Sequence, residues 1–138
     1  MTVQRVLAVD PGKDKCGAAV LDRRQGVLNQ AVVTADQLLS LVDDWTRDYD
    51  CRVIVVGDRT ARGEAMQNLQ QLLTAKKIDQ IILIDEHKST QEARQRYWLA
   101  YPPAGWRKII PRGLLFPPCA IDDFAAIILG ERYFVKNA

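Results

Sequence analysis

Acidic side chains at four points of the sequence have the type and spacing to hold a hard metal ion. They are Asp10 at the end of "RVLAVD", Asp58 at the end of "RVIVVGD", Glu86 just after "QIILID", and Asp122 or Asp123 in "AIDDFAAIILGERYF". The first three close short apolar runs, and parallel strands of an open α/β sheet present their ligand sites at such carboxyl ends. Carboxylates gathered on one rim repel one another unless a cation neutralises them. Oxygen donors, in a chain whose single histidine is His87, suit magnesium or manganese and leave no histidine-rich zinc site. Held this way, one ion can activate water while another stabilises the leaving oxygen of a phosphodiester. Each residue alone also fits a plainer role: Asp10 before Pro11-Gly12 as turn chemistry, Asp122 as a helix cap, Glu86 as a solvated loop residue. Their joint placement is what favours the metal.

The elements that must position these groups are legible from periodicity. "RVLAVD" reads as a buried strand, and "GAAVLD" and "VLNQAVVT", joined around Gly26, complete an antiparallel ribbon. "ADQLLSLVDDWTRDY" places Leu38, Leu41, Val42 and Trp45 at helical spacing, and "RVIVVGD" follows as a buried parallel strand. "ARGEAMQNLQQLLTAKK" and "QIILID" repeat that helix-then-strand pattern. Ser89 and Glu92 stand at capping-box spacing and start a helix over "STQEARQRYWLAY". A final helix covers "AIDDFAAIILGERYF"; at about 100° per residue, Ile121, Phe124, Ala125 and Ile128 form its apolar stripe. Asp122 then lies at the flank of that stripe and Asp123 nearly opposite it, so Asp122 is the better placed to face the sheet.

A second constellation surrounds the proline-rich loop over 102–118. No acidic residue occurs from Ala93 through Ile121, while Arg94, Arg96, Arg107, Lys108 and Arg112 supply positive charge. Tyr97, Trp98, Tyr101, Trp106 and Phe116 are interleaved with them. Phosphate attraction combined with base stacking is the usual way to hold a single strand. Lys13, Lys15, Arg59 and Arg62 fall in loops expected near the carboxylate rim and are further candidates for phosphate contact.

Composition narrows the classes. The chain has 138 residues, 19 basic against 17 acidic, and a net charge of +2, too balanced to mark a nucleic-acid binder unaided. The length suits one domain over 1–138. No apolar run approaches a membrane span and no signal-peptide pattern opens the chain, so cytoplasmic residence is the expectation. Cys16, Cys51 and Cys119 match no zinc or redox spacing and are expected to be reduced thiols, with only Cys16 near the suspected chemistry.

The stretches "VDPGKDKCGAAV", "VIVVGDRTARGEAMQNLQQL", "LIDEHKSTQEAR" and "IDDFAAIILGERY", in this order, resemble the YqgF family of the ribonuclease H-like superfamily, related to Holliday-junction resolvases such as RuvC. The resemblance spans nearly the whole chain. It implies an α/β fold with a five-stranded mixed sheet, three antiparallel strands followed by two parallel ones, flanked by helices. It also implies that Asp10, Glu86 and Asp122 match an acidic triad holding Mg2+ or Mn2+ in a metal-dependent endonuclease. The substrate implied is the precursor of small-subunit (16S) ribosomal RNA, with a four-way DNA junction or a non-catalytic RNA-binding role as alternatives, in a monomer or homodimer. Lys15-Cys16 stands where many relatives have Lys-Arg, His87 replaces the arginine usual after the acidic pair, and Gly57-Asp58-Arg59 replaces Gly-Leu-Pro.

Overall fold

The computed structural model describes residues 2–12, 14–59, 63–111 and 116–138. Five strands form one sheet: β1 Arg5–Asp10, β2 Lys15–Asp22, β3 Gly26–Thr34, β4 Val53–Gly57 and β5 Gln80–Ile84. Their order is β3-β2-β1-β4-β5, so β1 is central. It pairs antiparallel with β2 and parallel with β4, which in turn pairs parallel with β5. This is the mixed sheet that the strand pattern predicts.

Side-chain alternation along each strand divides the interior into two layers. Val6 and Ala8 of β1, Ala19 and Leu21 of β2, and Val53 and Val55 of β4 pack against α3 (Ser89–Ala100) and α4 (Asp122–Lys136). Leu7, Val9, Ala18, Val20, Ile54 and Val56 pack on the other face, against α1 (Leu38–Asp48) and α2 (Gly63–Thr74). β4 is buried along its whole length, as expected of a parallel strand covered on both sides. α4 is the helix most embedded in the core, buried from Phe124 through Gly130. Each fully buried Leu or Ile there contributes about 2 kcal/mol through apolar burial.

The β2–β3 hairpin turns over Asp22, whose Oδ1 accepts the backbone N–H groups of Arg24 (2.8 Å) and Gln25 (3.0 Å). Gly26 follows at φ +79°, a conformation that other residues rarely adopt. Three helix boundaries differ from the periodicity. Residues 35–37 form a 3-10 turn, capped reciprocally by Thr34 and Gln37, before α1 begins. α3 starts at Ser89, but without the expected capping box: Lys88 is the N-cap, in left-handed geometry, and the Glu92 carboxylate is drawn to Arg132 at 3.0 Å. α4 begins at Asp122 because the Ile121 carbonyl is the first to accept helical N–H groups, from Phe124 and Ala125. Within the proline-rich loop, Gly105–Ile109 forms a further 3-10 turn. The cysteines are free, Cys16 and Cys51 buried and Cys119 exposed.

Candidate functional site

Strand register brings the candidate carboxylates to one rim. Gly57 and Ile84 are partners at the ends of β4 and β5, and Val9 partners Val56, so Asp10 ends β1 at the level where its neighbours also end. Alternation places Asp10 on the face of Val6 and Ala8, beneath α4. Asp10 also partners Gly17 across the β1–β2 ladder. Gly17 lies hard against the Asp122 peptide: a Cβ at this position would overlap the Asp122 carbonyl and crowd the Asp123 nitrogen. The glycine of "DPGKDKCG" is therefore what lets the start of α4 approach the end of β1.

Asp10, Glu86 and Asp122 are each half-buried. Burial, and then the negative charges of Asp122 and Glu86, push the Asp10 carboxyl up to about 7. Burial also raises Asp122, with a smaller push from Asp123; its own helix-terminal N–H and the Lys15 ammonium act against the rise. The structure thus sets Asp10 within electrostatic reach of both Asp122 and Glu86. Among the described residues, no three Asp, Glu, His or Cys side chains close into a ready metal cage. The donor set nonetheless suits a hard divalent cation: all ligands are oxygen, and Asp10 carries the uncompensated repulsion that a cation would relieve.

The neighbouring carboxylates do other work. Asp123 is not opposite the sheet, as the helical wheel suggests; it accepts a hydrogen bond from the Gln30 side chain of β3 at 2.9 Å and bonds the Phe124 N–H at 3.0 Å. α4 is buried on so much of its circumference that a residue off the main stripe still meets β3. Asp58 accepts the Glu86 N–H at 3.4 Å, so it shapes the loop that carries Glu86. Asp85 accepts the His87 N–H at 3.0 Å, which with nearby cations holds its carboxyl below the usual range. Cys16 points to the α1–α2 face, away from α4.

The cationic candidates divide as well. Lys15 opens β2 near Asp122, and Arg59 sits 3.5 Å from the His87 ring. Arg94 stacks over Phe116 (5.1 Å) and Arg107 over Trp106 (5.7 Å), leaving both aromatic rings exposed. Lys108 is exposed in the same 3-10 turn as Arg107. Arg96 instead forms a two-pronged ion pair with Glu131 (2.6 and 2.7 Å), and Tyr97 and Trp98 are core residues. Lys13, Arg62 and Arg112 lie outside the described residues. Sequence reasoning missed Arg132, a surface-looking basic residue in "GERYF" whose guanidinium reaches the loop around Glu86.

Taken together, the order of strands and the helix crossing beneath the rim define an α/β protein of the ribonuclease H-like fold seen in RuvC-type resolvases. Two particular proteins share it across almost their whole length. One is RuvC of Thermus thermophilus in complex with a Holliday junction substrate, with a TM-score of 0.64 and 14% identity over 97% of this chain and 95% of that one. The other is the fowlpox virus Holliday junction resolvase, with a TM-score of 0.60 and 14% identity over 97% of this chain and 99% of that one. No protein-family model and no curated protein matches the sequence.

Proposed function

We propose that the chain is a divalent-metal-dependent endonuclease of the YqgF kind, with Asp10, Glu86 and Asp122 as the carboxylates that hold Mg2+ or Mn2+. The observation that carries this reading is Asp10: a half-buried carboxylate raised to about 7 by burial and by two facing carboxylates, at the end of the central strand. A purely structural aspartate would face donors instead. When bound, the metal supplies water activation and stabilises the leaving oxygen of a phosphodiester. The chain's own groups orient the nucleic acid: Lys15 and Arg59 attract phosphate beside the rim, and Arg94, Arg107 and Lys108 do so along the loop. The exposed rings of Trp106 and Phe116 offer stacking surfaces for unpaired bases.

The favoured substrate is RNA, in the maturation of precursor 16S ribosomal RNA by a cytoplasmic protein whose residues 1–138 act as one domain. The second reading, cleavage of a four-way DNA junction, draws support from the fold shared with RuvC and the fowlpox resolvase, both determined with Holliday junctions. The deciding experiment offers a precursor ribosomal RNA end and a four-way DNA junction, with Mg2+ or Mn2+, to the wild type and Asp10→Asn. RNA cleavage lost in the variant supports the favoured reading, and junction cutting supports the second. If neither is cut while RNA is bound equally by both proteins, a non-catalytic binding module replaces them.

A further inference from the structure

Glu86 has no secondary structure of its own to hold it. It lies between the end of β5 and the start of α3, in a turn that contains Lys88 at φ +60°. Four sets of hydrogen bonds nevertheless fix this turn. Asp58 takes the Glu86 N–H, the Asp85 carboxylate takes the His87 N–H at 3.0 Å, and the Ser89 N–H donates to the Glu86 carbonyl at 2.9 Å. The fourth set comes from a distant element. From α4, Arg132 Nη1 donates to the Asp85 carbonyl at 2.6 Å, and Nη2 donates to the His87 carbonyl at 2.7 Å. Nη2 also meets the Glu92 carboxylate at 3.0 Å, which locks the guanidinium in place from α3.

We propose that Arg132 is the positioning residue for Glu86, clamping the peptide carbonyls on either side of it and so setting where its carboxylate stands relative to Asp10. The functional consequence of the clamp rests on the metal-site reading of the rim, but the clamp itself is a matter of hydrogen bonds. A planar guanidinium presents several donors in a rigid fork, so one side chain can hold two carbonyls and a carboxylate together. A lysine ammonium at the same place, on its flexible stem, lacks that fork. Because α4 also begins with Asp122, a single helix then carries one carboxylate of the rim and the anchor of another. Groups that orient ligands without touching the metal typically change its affinity about 10–100-fold when removed.

The test compares Arg132→Ala and Arg132→Lys with Arg96→Ala, which removes the Arg96–Glu131 pair from the same α3–α4 seam without touching the turn. Two readouts are taken on the full chain: amide hydrogen exchange at His87 and Ser89, and calorimetric titration with Mn2+. Arg132→Ala is expected to accelerate exchange at both amides and to weaken Mn2+ binding by about 10–100-fold. Arg132→Lys should fall between that and the wild type, and Arg96→Ala should do neither. Unchanged exchange in Arg132→Ala, or equal acceleration in Arg96→Ala, would overturn the clamp. If the wild type takes up no Mn2+ while Arg132→Ala still loosens the turn, the clamp stands and the metal-dependent reading of the site falls.

Discussion

Asp10 and Asp22 occupy opposite ends of the same β1–β2 ladder, Asp10 across from Gly17 and Asp22 across from Arg5. Both are aspartates at the end of an apolar strand, and the surroundings treat them in opposite ways. Asp22 is enclosed by donors: the Arg24 and Gln25 N–H groups, the Gln4 amide at 2.9 Å and the Arg5 guanidinium at 3.0 Å. Those bonds, the backbone ones foremost, hold its carboxyl far below the usual range. Asp10 is raised to about 7 by burial and by the charges of Asp122 and Glu86. A carboxylate that serves the fold is satisfied within it. One left facing its own charge is where the proposed cation would find its place.

The strongest way to break the contrast is at Gly17. Gly17→Ala drives a Cβ into the Asp122 peptide, where backbone must give way. The expected loss is about 3 kcal/mol or more in denaturant unfolding. The displaced helix start should also bring Asp10 closer to its ordinary titration; an unchanged unfolding midpoint would show that α4 does not depend on this approach.

Asp10→Asn tests the other half, with opposite sign. The folded-state pKa of Asp10 is raised, so its contribution to stability is fully present below about pH 4 and is lost as the pH rises through about 7. At pH 8 without divalent ions the variant should therefore be more stable than the wild type, by on the order of 3 kcal/mol, and near pH 4 the two should coincide. Adding Mg2+ at pH 8 should raise the melting temperature of the wild type and leave that of the variant in place.

For Asp22→Asn the sign reverses. The folded-state pKa is depressed, so its stabilisation is present above about pH 4 and disappears only as strong acid protonates the native carboxyl. The variant should melt below the wild type at pH 7 by a smaller margin than Gly17→Ala, with cleavage unaffected once folded. A melting difference that persists undiminished into strong acid would show that Asp22 does not act through its ionised form.

The smallest effect belongs to the loop. Arg107→Ala with Lys108→Ala should weaken binding of single-stranded RNA and flatten its salt dependence by up to about two charges' worth of slope. An unchanged slope would remove the loop from the binding surface.

Much of this architecture is open to a reader of the sequence. Strand runs such as "RVIVVGD" and "QIILID" declare themselves because parallel strands buried on both faces need unbroken β-branched or aliphatic residues. Asp10 and Glu86 are legible as strand-end carboxylates, and Asp122 as a helix-start one. What alternation and helical periodicity cannot supply is the identity of long-range partners. Asp22 looks like Asp10 in sequence; the N–H groups of its own turn, from Arg24 and Gln25, and the arriving Gln4 and Arg5 side chains distinguish them. Asp123 meets Gln30, and Arg132 meets Asp85 and His87, across separations that no local pattern encodes. Tyr97 and Trp98 group with exposed aromatics in the sequence because α3 has little amphipathic contrast; packing against Phe124 and its neighbours puts them in the core.

The distribution of thiols makes the chain its own reporter. Cys119, exposed beside the proline-rich loop, should accept a fluorescent maleimide in the native state, whereas Cys16 and Cys51 are enclosed, the latter with its thiol raised to about 11. One label per folded molecule, with no engineered site, would follow the loop as nucleic acid arrives. The two slower labelling events would time the opening of the α1–α2 layer that encloses them.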